Sequence, residues 1–167
     1  MGVTALRYED IEDKHEGFNL LKDYVRSTAS VEASFYFYLA SALHKSARIQ
    51  ALLKEQWVIC DRYVYSTIAY HVAKGFPRSA VPDLAQLPLK MPDYFFLVTV
   101  SERERLQRVS KKIGATTDDA IPKSLGNEVQ TREDVFKSFN PLVIDNSEND
   151  PQISLNVILK YLKSEGI

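Results

Sequence analysis

Residues 57–70, WVICDRYVYSTIAY, decide the fold predicted for this 167-residue sequence. The short apolar run 57–60 has the length and composition of a buried strand, and it ends abruptly in Asp61 and Arg62. In α/β proteins, ligands bind outside the carboxyl ends of buried strands. An arginine there offers a phosphate bidentate, permanently charged hydrogen bonds. The segment therefore predicts an α/β protein that holds a charged ligand at this strand end.

Strand-like runs and helix-like repeats alternate along the rest of the chain. Residues 4–17 are highly charged and lack an apolar period, so we predict a loop or a frayed helix there. Predicted helices cover residues 18–26, 31–54, 64–73, 81–86, 101–112, 128–139 and 151–164, and predicted strands cover 57–60, 94–100 and 142–144. Short apolar strands that alternate with helices indicate a parallel sheet covered on both faces.

Composition and charge argue against several classes of function. Hydrophobic residues make up 45% of the chain and charged residues 26%, which is typical of a globular domain. The net charge of −1 and the isoelectric point near 6.3 give no global signal for nucleic acid or for an anionic membrane. No apolar stretch approaches the roughly 18 to 20 residues that span a bilayer. The single cysteine, Cys60, is consistent with the cytoplasm or another reducing intracellular compartment.

Two segments in this order resemble the thymidylate kinase family. Asp61-Arg62-Tyr63, followed by Ser66 and Tyr70, is similar to the DRY segment of that family. The stretches LKMPDYFFL at 89–97 and SERERLQR at 101–108 are similar to the strand and helix that precede its lid, in particular in the branch with mitochondrial UMP/CMP-type kinases. The resemblance runs from about residue 18 to the end. It implies a single domain over 1–167, a three-layer parallel sheet of the P-loop nucleotide kinase type, and a lid at about 108–126.

The resemblance implies a role for each matching residue. Arg62 would bind the monophosphate of the acceptor nucleotide, and Asp61 would act near the transferred phosphoryl group or a magnesium-bound water. Tyr70 would pack beneath the sugar and help to select deoxyribose. The remaining implied roles are base contacts by Ser66 and Thr67, base stacking by Phe37 or Tyr36, cations toward the ATP phosphates from Lys111, Lys112 and Arg108, and proximity to adenine for Asn146 and Ser147.

The activity implied by the resemblance is phosphoryl transfer between nucleotides. The γ-phosphoryl group of ATP would pass to dTMP or a related pyrimidine monophosphate, with Mg²⁺ present. Family members commonly dimerise through the long helix, so residues 31–54 are the candidate homodimer interface. The alternative from another class is a degenerate, non-catalytic relative that binds nucleotides or acts as a scaffold.

Two departures from the family pattern bear on these expectations. Ala40 or Ser41 stands where the family has a base-reading arginine on the long helix. None of the six glycines begins a G-x-x-x-x-G-K-[ST] motif, whose backbone amides and lysine cradle nucleotide phosphates. In the family, the strand that feeds this loop lies between the strands matching 57–60 and 94–100. We therefore expect an N-terminally incomplete chain, a partner-supplied strand or a rearranged relative, with weak or no kinase activity from these 167 residues alone.

Structural explanations compete with several of these roles. Asp61 and Arg62 also fit a surface ion pair, and lysines at a helix C-terminus favour the helix dipole without any ligand. Aromatic residues on helices are usually buried in the core, which applies to residues 35–38 and to Tyr65. We interpret Cys60 as a buried strand residue and not as a nucleophile, because no base is placed beside it.

Overall fold

The computed structural model describes residues 2–6, 16–111, 126–148 and 150–166. Within them, the strands are β1 (Gly2–Leu6), β2 (Gln56–Cys60), β3 (Phe96–Thr99) and β4 (Leu142–Asp145). The α-helices are α1 (Glu16–Thr28), α2 (Val31–Leu52), α3 (Val64–Ala73), α4 (Glu102–Lys111), α5 (Gly126–Lys137) and α6 (Pro151–Ser164). Strands and helices therefore alternate, as the sequence pattern predicts.

These elements fall into two compact units. The first comprises Met1–Pro92 and Glu128–Phe136, and the second comprises Asp93–Asn127 and Lys137–Ile167. Each unit has its own parallel pair of strands in the described residues: β1 with β2 in the first, and β3 with β4 in the second. The sequence pattern predicts three strands, so it misses one.

The missed strand is β1. The prediction of a loop or frayed helix over 4–17 is wrong at its start, because β1 extends to Leu6; α1 begins at Glu16, and residues 7–15 lie outside the described part of the chain. β1 runs parallel to β2, with Gly2 opposite Gln56 and Leu6 opposite Cys60. This pairing is made with a strand two helices further along the chain, so local periodicity in five residues gives little sign of it.

Helices α2 and α3 carry most of the core of the first unit. α2 begins after Ser30, whose hydroxyl accepts a hydrogen bond from the amide of Ala33, and Glu32 lies in the first turn. The buried apolar residues on and just after these helices are Phe35, Leu39, Ala42, Ile49, Val64, Ile68, Ala69 and Phe76.

The end of α3 directs the chain back into this core. Gly75 has a φ of 99°, which strains any L side chain, and its amide donates to the carbonyl of Val72. The amide of Phe76 donates to the carbonyl of His71, completing a Schellman motif. The turn places Phe76 against Phe35, with ring centroids 4.0 Å apart. The end of the helix predicted at 64–73 is therefore confirmed.

The second unit packs α6 on the pair β3–β4. Phe96 lies opposite Leu142 in the parallel register. Tyr161 of α6 makes edge-to-face contacts with Tyr94 and Phe96, at centroid distances of 6.1 and 5.9 Å. Ile144 of β4 is buried. The bounds predicted for the final helix agree with those of α6.

Helix bounds elsewhere differ in detail from the prediction. The helix predicted at 64–73 matches α3, and the long helix predicted at 31–54 ends at Leu52. The single helix predicted at 81–86 is wrong, because the chain forms two 3-10 helices, Arg78–Ala80 and Leu84–Gln86. No helix in the described part of the chain combines the length and apolarity needed to cross a bilayer.

Candidate functional site

Two exposed charged residues follow the end of β2. Asp61 and Arg62 follow the last strand residue, Cys60, and α3 begins at Val64. Arg62 has a φ of 60°, a left-handed conformation that a non-glycine residue adopts at a cost in free energy. Such strained positions cluster at functional sites, so the backbone here agrees with the sequence prediction of a ligand-binding strand end.

Two neighbouring side chains approach the backbone of Arg62. The Nζ atom of Lys45 lies 3.5 Å from the Arg62 carbonyl oxygen, and the Sγ of Cys60 lies 3.4 Å from it. Lys45 lies on the core face of α2, and its side chain is only 2% exposed although it ends in an ammonium group. Burial raises the pKa of the Cys60 thiol, which keeps it protonated as a donor. These contacts help to hold the Arg62 backbone in its strained conformation.

Two guanidinium groups converge on the ring of Tyr70. The Cζ atom of Arg62 lies 5.5 Å from the ring centroid, and that of Arg132 on α5 lies 4.5 Å from it. Both distances are within the range of cation–π attraction. Sequence reasoning places Arg62 and Tyr70 in one site, and the structure brings them together. Arg132 is absent from that prediction.

The start of α3 adds positive potential beside Arg62. The N-cap residue, Tyr63, makes no side-chain hydrogen bond to the first turn of the helix. The first amides of an α-helix lack partners within the helix and carry the positive end of its dipole. A negatively charged group near Arg62 is therefore favoured both by the guanidinium and by the helix terminus.

The other predicted acceptor-site residues have varied environments. Ser66 and Thr67 on α3 are partly buried. Phe37 stacks on Phe18 of α1, at a centroid distance of 5.6 Å, whereas Tyr36 is 55% exposed. Phe35, the residue before Tyr36, is fully buried, which agrees with the core interpretation for that residue.

His71 links α3 to α2 through two partly buried hydrogen bonds. Its Nδ1 lies 2.7 Å from the carbonyl oxygen of Thr67, and its Nε2 lies 3.0 Å from the Ser34 hydroxyl. A neutral ring satisfies both contacts, since Nδ1–H donates to the carbonyl and Nε2 accepts from the hydroxyl. Burial lowers the pKa of His71 below its ordinary value of 6.5, and the nearby Lys74 charge acts in the same direction.

This environment predicts a loss of stability in mild acid. A folded-state pKa below 6.5 means that the unfolded chain binds the proton more readily. The stabilisation is complete above pH 6.5 and is lost as the pH falls toward the folded-state pKa. Urea unfolding between pH 8 and 5 should show this fall in wild type and a flatter profile in His71→Gln. The exposed His44, changed to glutamine, is the control, and equal slopes in all three proteins would contradict the prediction.

In the second unit, the predicted ATP-binding residues Arg108, Asn146 and Ser147 lie together. Arg108 donates through Nη2 to the Asn146 carbonyl and through Nε to Glu104, both at 2.7 Å. The Ser147 hydroxyl accepts from the amide of Ser101 at 2.7 Å. The structure thus joins α4 to the end of β4 through these three residues.

The lid prediction falls mostly outside the described residues. Lys111 is the last residue of α4 and is exposed, while Lys112 and most of the range 108–126 lie outside the described part of the chain. Among the described residues, no three His, Cys, Asp or Glu side chains form a cluster able to hold a metal ion. Asp61 therefore stands as a single exposed carboxylate beside Arg62.

Sequence reasoning missed Lys45 and Arg132. The burial of Lys45 could have been predicted from the sequence. Leu39, Ala42 and Ile49 recur at helical spacing on one face of α2, and Lys45 lies on that same face, where a charged residue is unusual. Arg132 had no such signal, since its contact with Tyr70 joins distant parts of the chain and α5 reads as an ordinary polar helix.

Comparison with known proteins agrees with this geometry. Residues 19–158 match the model of the thymidylate kinase family. A probable thymidylate kinase of Methanocaldococcus jannaschii is 30% identical over 127 residues, or 76% of this chain and 65% of the relative. The thymidylate kinase of Mycoplasma genitalium is 30% identical over 117 residues, covering 64% of this chain and 56% of the relative. A solved thymidylate kinase from Candida albicans aligns with a TM-score of 0.64 and 20% identity, over 98% of this chain and 80% of that one.

The class of fold follows from the structural match: it is the α/β fold of the P-loop nucleotide kinases. Because the family model matches most of the sequence, the chain belongs to the thymidylate kinase family. The chain spans 65% of the length of the M. jannaschii relative and 56% of that of a Methanococcus maripaludis relative.

Proposed function

We propose that this chain acts as a nucleoside monophosphate kinase, with weak activity from the 167 residues alone because they contain no G-x-x-x-x-G-K-[ST] motif. The γ-phosphoryl group of ATP is transferred to dTMP or a related pyrimidine monophosphate. The bond from the bridging β–γ oxygen to the γ-phosphorus breaks, and an oxygen of the acceptor phosphate bonds to that phosphorus, giving ADP and a nucleoside diphosphate. The observation that carries the proposal is the exposed Arg62 guanidinium at the end of β2, in a chain of the thymidylate kinase family.

The acceptor phosphate is held by charge and position in this proposal. Phosphoryl transfer requires little covalent chemistry from the protein, so orientation and neutralisation of the phosphate oxygens supply most of the catalysis. Arg62 binds the monophosphate, supported by the start of α3. Tyr70 packs near the sugar, Ser66 and Thr67 contact the base, and the ring of Phe37 or Tyr36 stacks on it.

Magnesium fits the residues present at this strand end. Mg²⁺ is usually bound by one or two carboxylates together with substrate phosphates and water, so the single exposed carboxylate of Asp61 is sufficient on the protein side. When bound, the ion neutralises charge on the phosphates of ATP. Asp61 would hold it directly or through a water molecule.

The ATP side of the proposal rests on the second unit. Arg108, Asn146 and Ser147 would lie near the nucleotide, and Lys111 and Lys112 would present cations to its phosphates. Arg108 already donates to Glu104 and to the Asn146 carbonyl, so a phosphate would compete with these contacts. Nothing in the 167 residues has the G-x-x-x-x-G-K-[ST] pattern, and this observation favours a second candidate: a non-catalytic nucleotide-binding or scaffolding relative.

A coupled assay of ADP release separates these two candidates. It is run with dTMP, dUMP, UMP and CMP as acceptors, together with calorimetric titration of each monophosphate. Turnover that is lost in Arg62→Ala and retained in Arg103→Ala, a matched change at an exposed position of α4, supports the kinase. Monophosphate binding without turnover supports the non-catalytic relative. No detectable binding of any monophosphate removes the proposed acceptor site.

We also propose that the strand β2 receives a further strand. In the described residues β2 pairs only with β1, so its other edge has no partner strand, and Trp57 and Ile59 are exposed although they belong to a parallel pair. This edge is consistent with a further strand from any of three sources: a preceding segment, a partner chain or a local rearrangement. Amide hydrogen exchange tests it, because protection of every β2 amide requires strands on both sides.

We further propose that the chain forms a homodimer through residues 31–54. We place it in the cytoplasm or another reducing intracellular compartment. Tyr36 is an exposed aromatic residue on α2, as an interface there would require. Light scattering that gives the monomer mass at all concentrations would remove the dimer.

A further inference from the structure

We propose that Arg132 is a second phosphate-binding residue of the Arg62 site. The ligand is the dianionic monophosphate group of a nucleotide, so the inference rests on the proposed function. It goes beyond the roles implied by the family resemblance, because α5 contributes none of the residues named there.

The geometry places both cations around one aromatic ring. Arg132 lies closer to the Tyr70 ring centroid, at 4.5 Å, than Arg62 does, at 5.5 Å. Arg132 and Tyr70 are partly buried, whereas Arg62 is exposed. A guanidinium over an aromatic ring is oriented by the contact, and its in-plane N–H donors stay available for an anion.

The positive charges around the Tyr70 ring favour the binding of an anion. Among the described residues, neither Arg62 nor Arg132 forms an ion pair with a carboxylate. Two positive groups that share one ring repel each other, and the adjoining start of α3 adds a third positive influence. A phosphate monoester carries up to two negative charges and several acceptor oxygens, so it can neutralise both guanidinium groups at once.

Arg132 and Arg62 reach the Tyr70 ring from different elements of the fold. Arg62 follows β2 directly, while Arg132 reaches the same ring from α5, in a different part of the sequence. Its contact with Tyr70 is therefore a product of tertiary packing within the first unit. Arg132 would add charge to the acceptor phosphate and hold the Tyr70 ring in place.

The test measures affinity for nucleotides with and without the phosphate. Arg132→Gln is expected to weaken binding of dTMP and UMP by about 10-fold in calorimetry, since one charge-assisted contact is lost. Binding of the uncharged nucleosides thymidine and uridine should change by less than about twofold. Arg132→Lys, which keeps the charge, should recover part of the loss. In steady-state kinetics the KM for the monophosphate should rise more than kcat falls.

Two results would overturn the inference. Unchanged monophosphate affinity in Arg132→Gln, with Arg62→Gln impaired, would show that Arg132 does not contact the phosphate and would leave the proposed function standing. An equal loss for nucleotides and nucleosides would show that Arg132 only supports the fold around Tyr70. Arg103→Gln, which removes an exposed charge from α4, controls for net charge and should match wild type.

An anion probe keeps the inference testable if the chain binds no nucleotide. Thermal melts in inorganic phosphate and in pyrophosphate, at constant ionic strength, compare wild type, Arg132→Gln and Arg103→Gln. Stabilisation of wild type and Arg103→Gln that is absent in Arg132→Gln supports a phosphate site there, even though the nucleotide function would then have failed. Equal responses in all three proteins overturn the inference.

Discussion

Replacing Arg62 with alanine is expected to weaken binding of a pyrimidine monophosphate by roughly 100-fold, because a bidentate charged contact contributes about 2 to 4 kcal/mol. The guanidinium is exposed at the end of β2, next to the uncapped start of α3. Isothermal titration with dTMP and UMP measures the effect. Phosphoryl transfer should fall at least as far, since the acceptor phosphate is then poorly placed for attack.

The backbone of Arg62 allows a sharp control for folding. Its φ of 60° is strained in alanine as it is in arginine, but glycine adopts it readily. Arg62→Gly should therefore lose binding as fully as Arg62→Ala while unfolding at an equal or higher denaturant concentration. If monophosphate affinity is unchanged in both variants, Arg62 does not belong to the acceptor site. If affinity falls only together with stability, the effect is structural.

The parts of the fold that depend on local pattern were readable from the sequence. α3 and α6 have strong signals at both ends, with apolar strand residues before α3, Gly75 after it, and Asp150 and Pro151 opening α6. The prediction of ligand binding at the segment after Cys60 also follows from local order, because an apolar run that ends in Asp61 and Arg62 is unusual.

The parts that depend on distant contacts were not readable. β1 is a strand because β2 lies beside it, and the five residues GVTAL carry no alternation strong enough to show this. The predicted helix at 81–86 contains Pro82, and the chain divides into shorter turns around it. The place of Arg132 beside Tyr70 is equally a product of tertiary packing, and no spacing rule links the two.

The same distinction applies to the site. Arg62 and Tyr70 lie close in sequence on one strand–helix connection, so once the family resemblance assigns both to one site their proximity requires little tertiary packing, and the structure brings them together. Arg108 and Asn146 are far apart in sequence, and only the family resemblance placed them together, although the structure does join them by a hydrogen bond. Their roles toward ATP remain predictions.

Truncation of Phe35 is expected to cause the largest loss of stability of any single change in α2. The side chain is fully buried, stacks on Phe76 at 4.0 Å and meets the edge of His71 at 5.7 Å. Phe35→Ala removes this ring from a packed site, and such substitutions cost about 3 to 5 kcal/mol. That is a large share of the roughly 5 to 15 kcal/mol that stabilises a typical domain. Urea unfolding followed by circular dichroism measures the change.

The neighbouring residue Tyr36 supplies the matched control. It lies on the same turn of α2 and is also aromatic, but it is 55% exposed. Tyr36→Ala should cost under about 1.5 kcal/mol, because most of its surface is in water in either state. A large difference between the two variants places the core on the Phe35 face of α2, together with Leu39 and Ile49. Equal losses would mean that both rings are buried in solution, with Tyr36 covered by an interface of the kind proposed for residues 31–54, and a concentration-dependent unfolding midpoint would then distinguish that dimer from a different orientation of the helix.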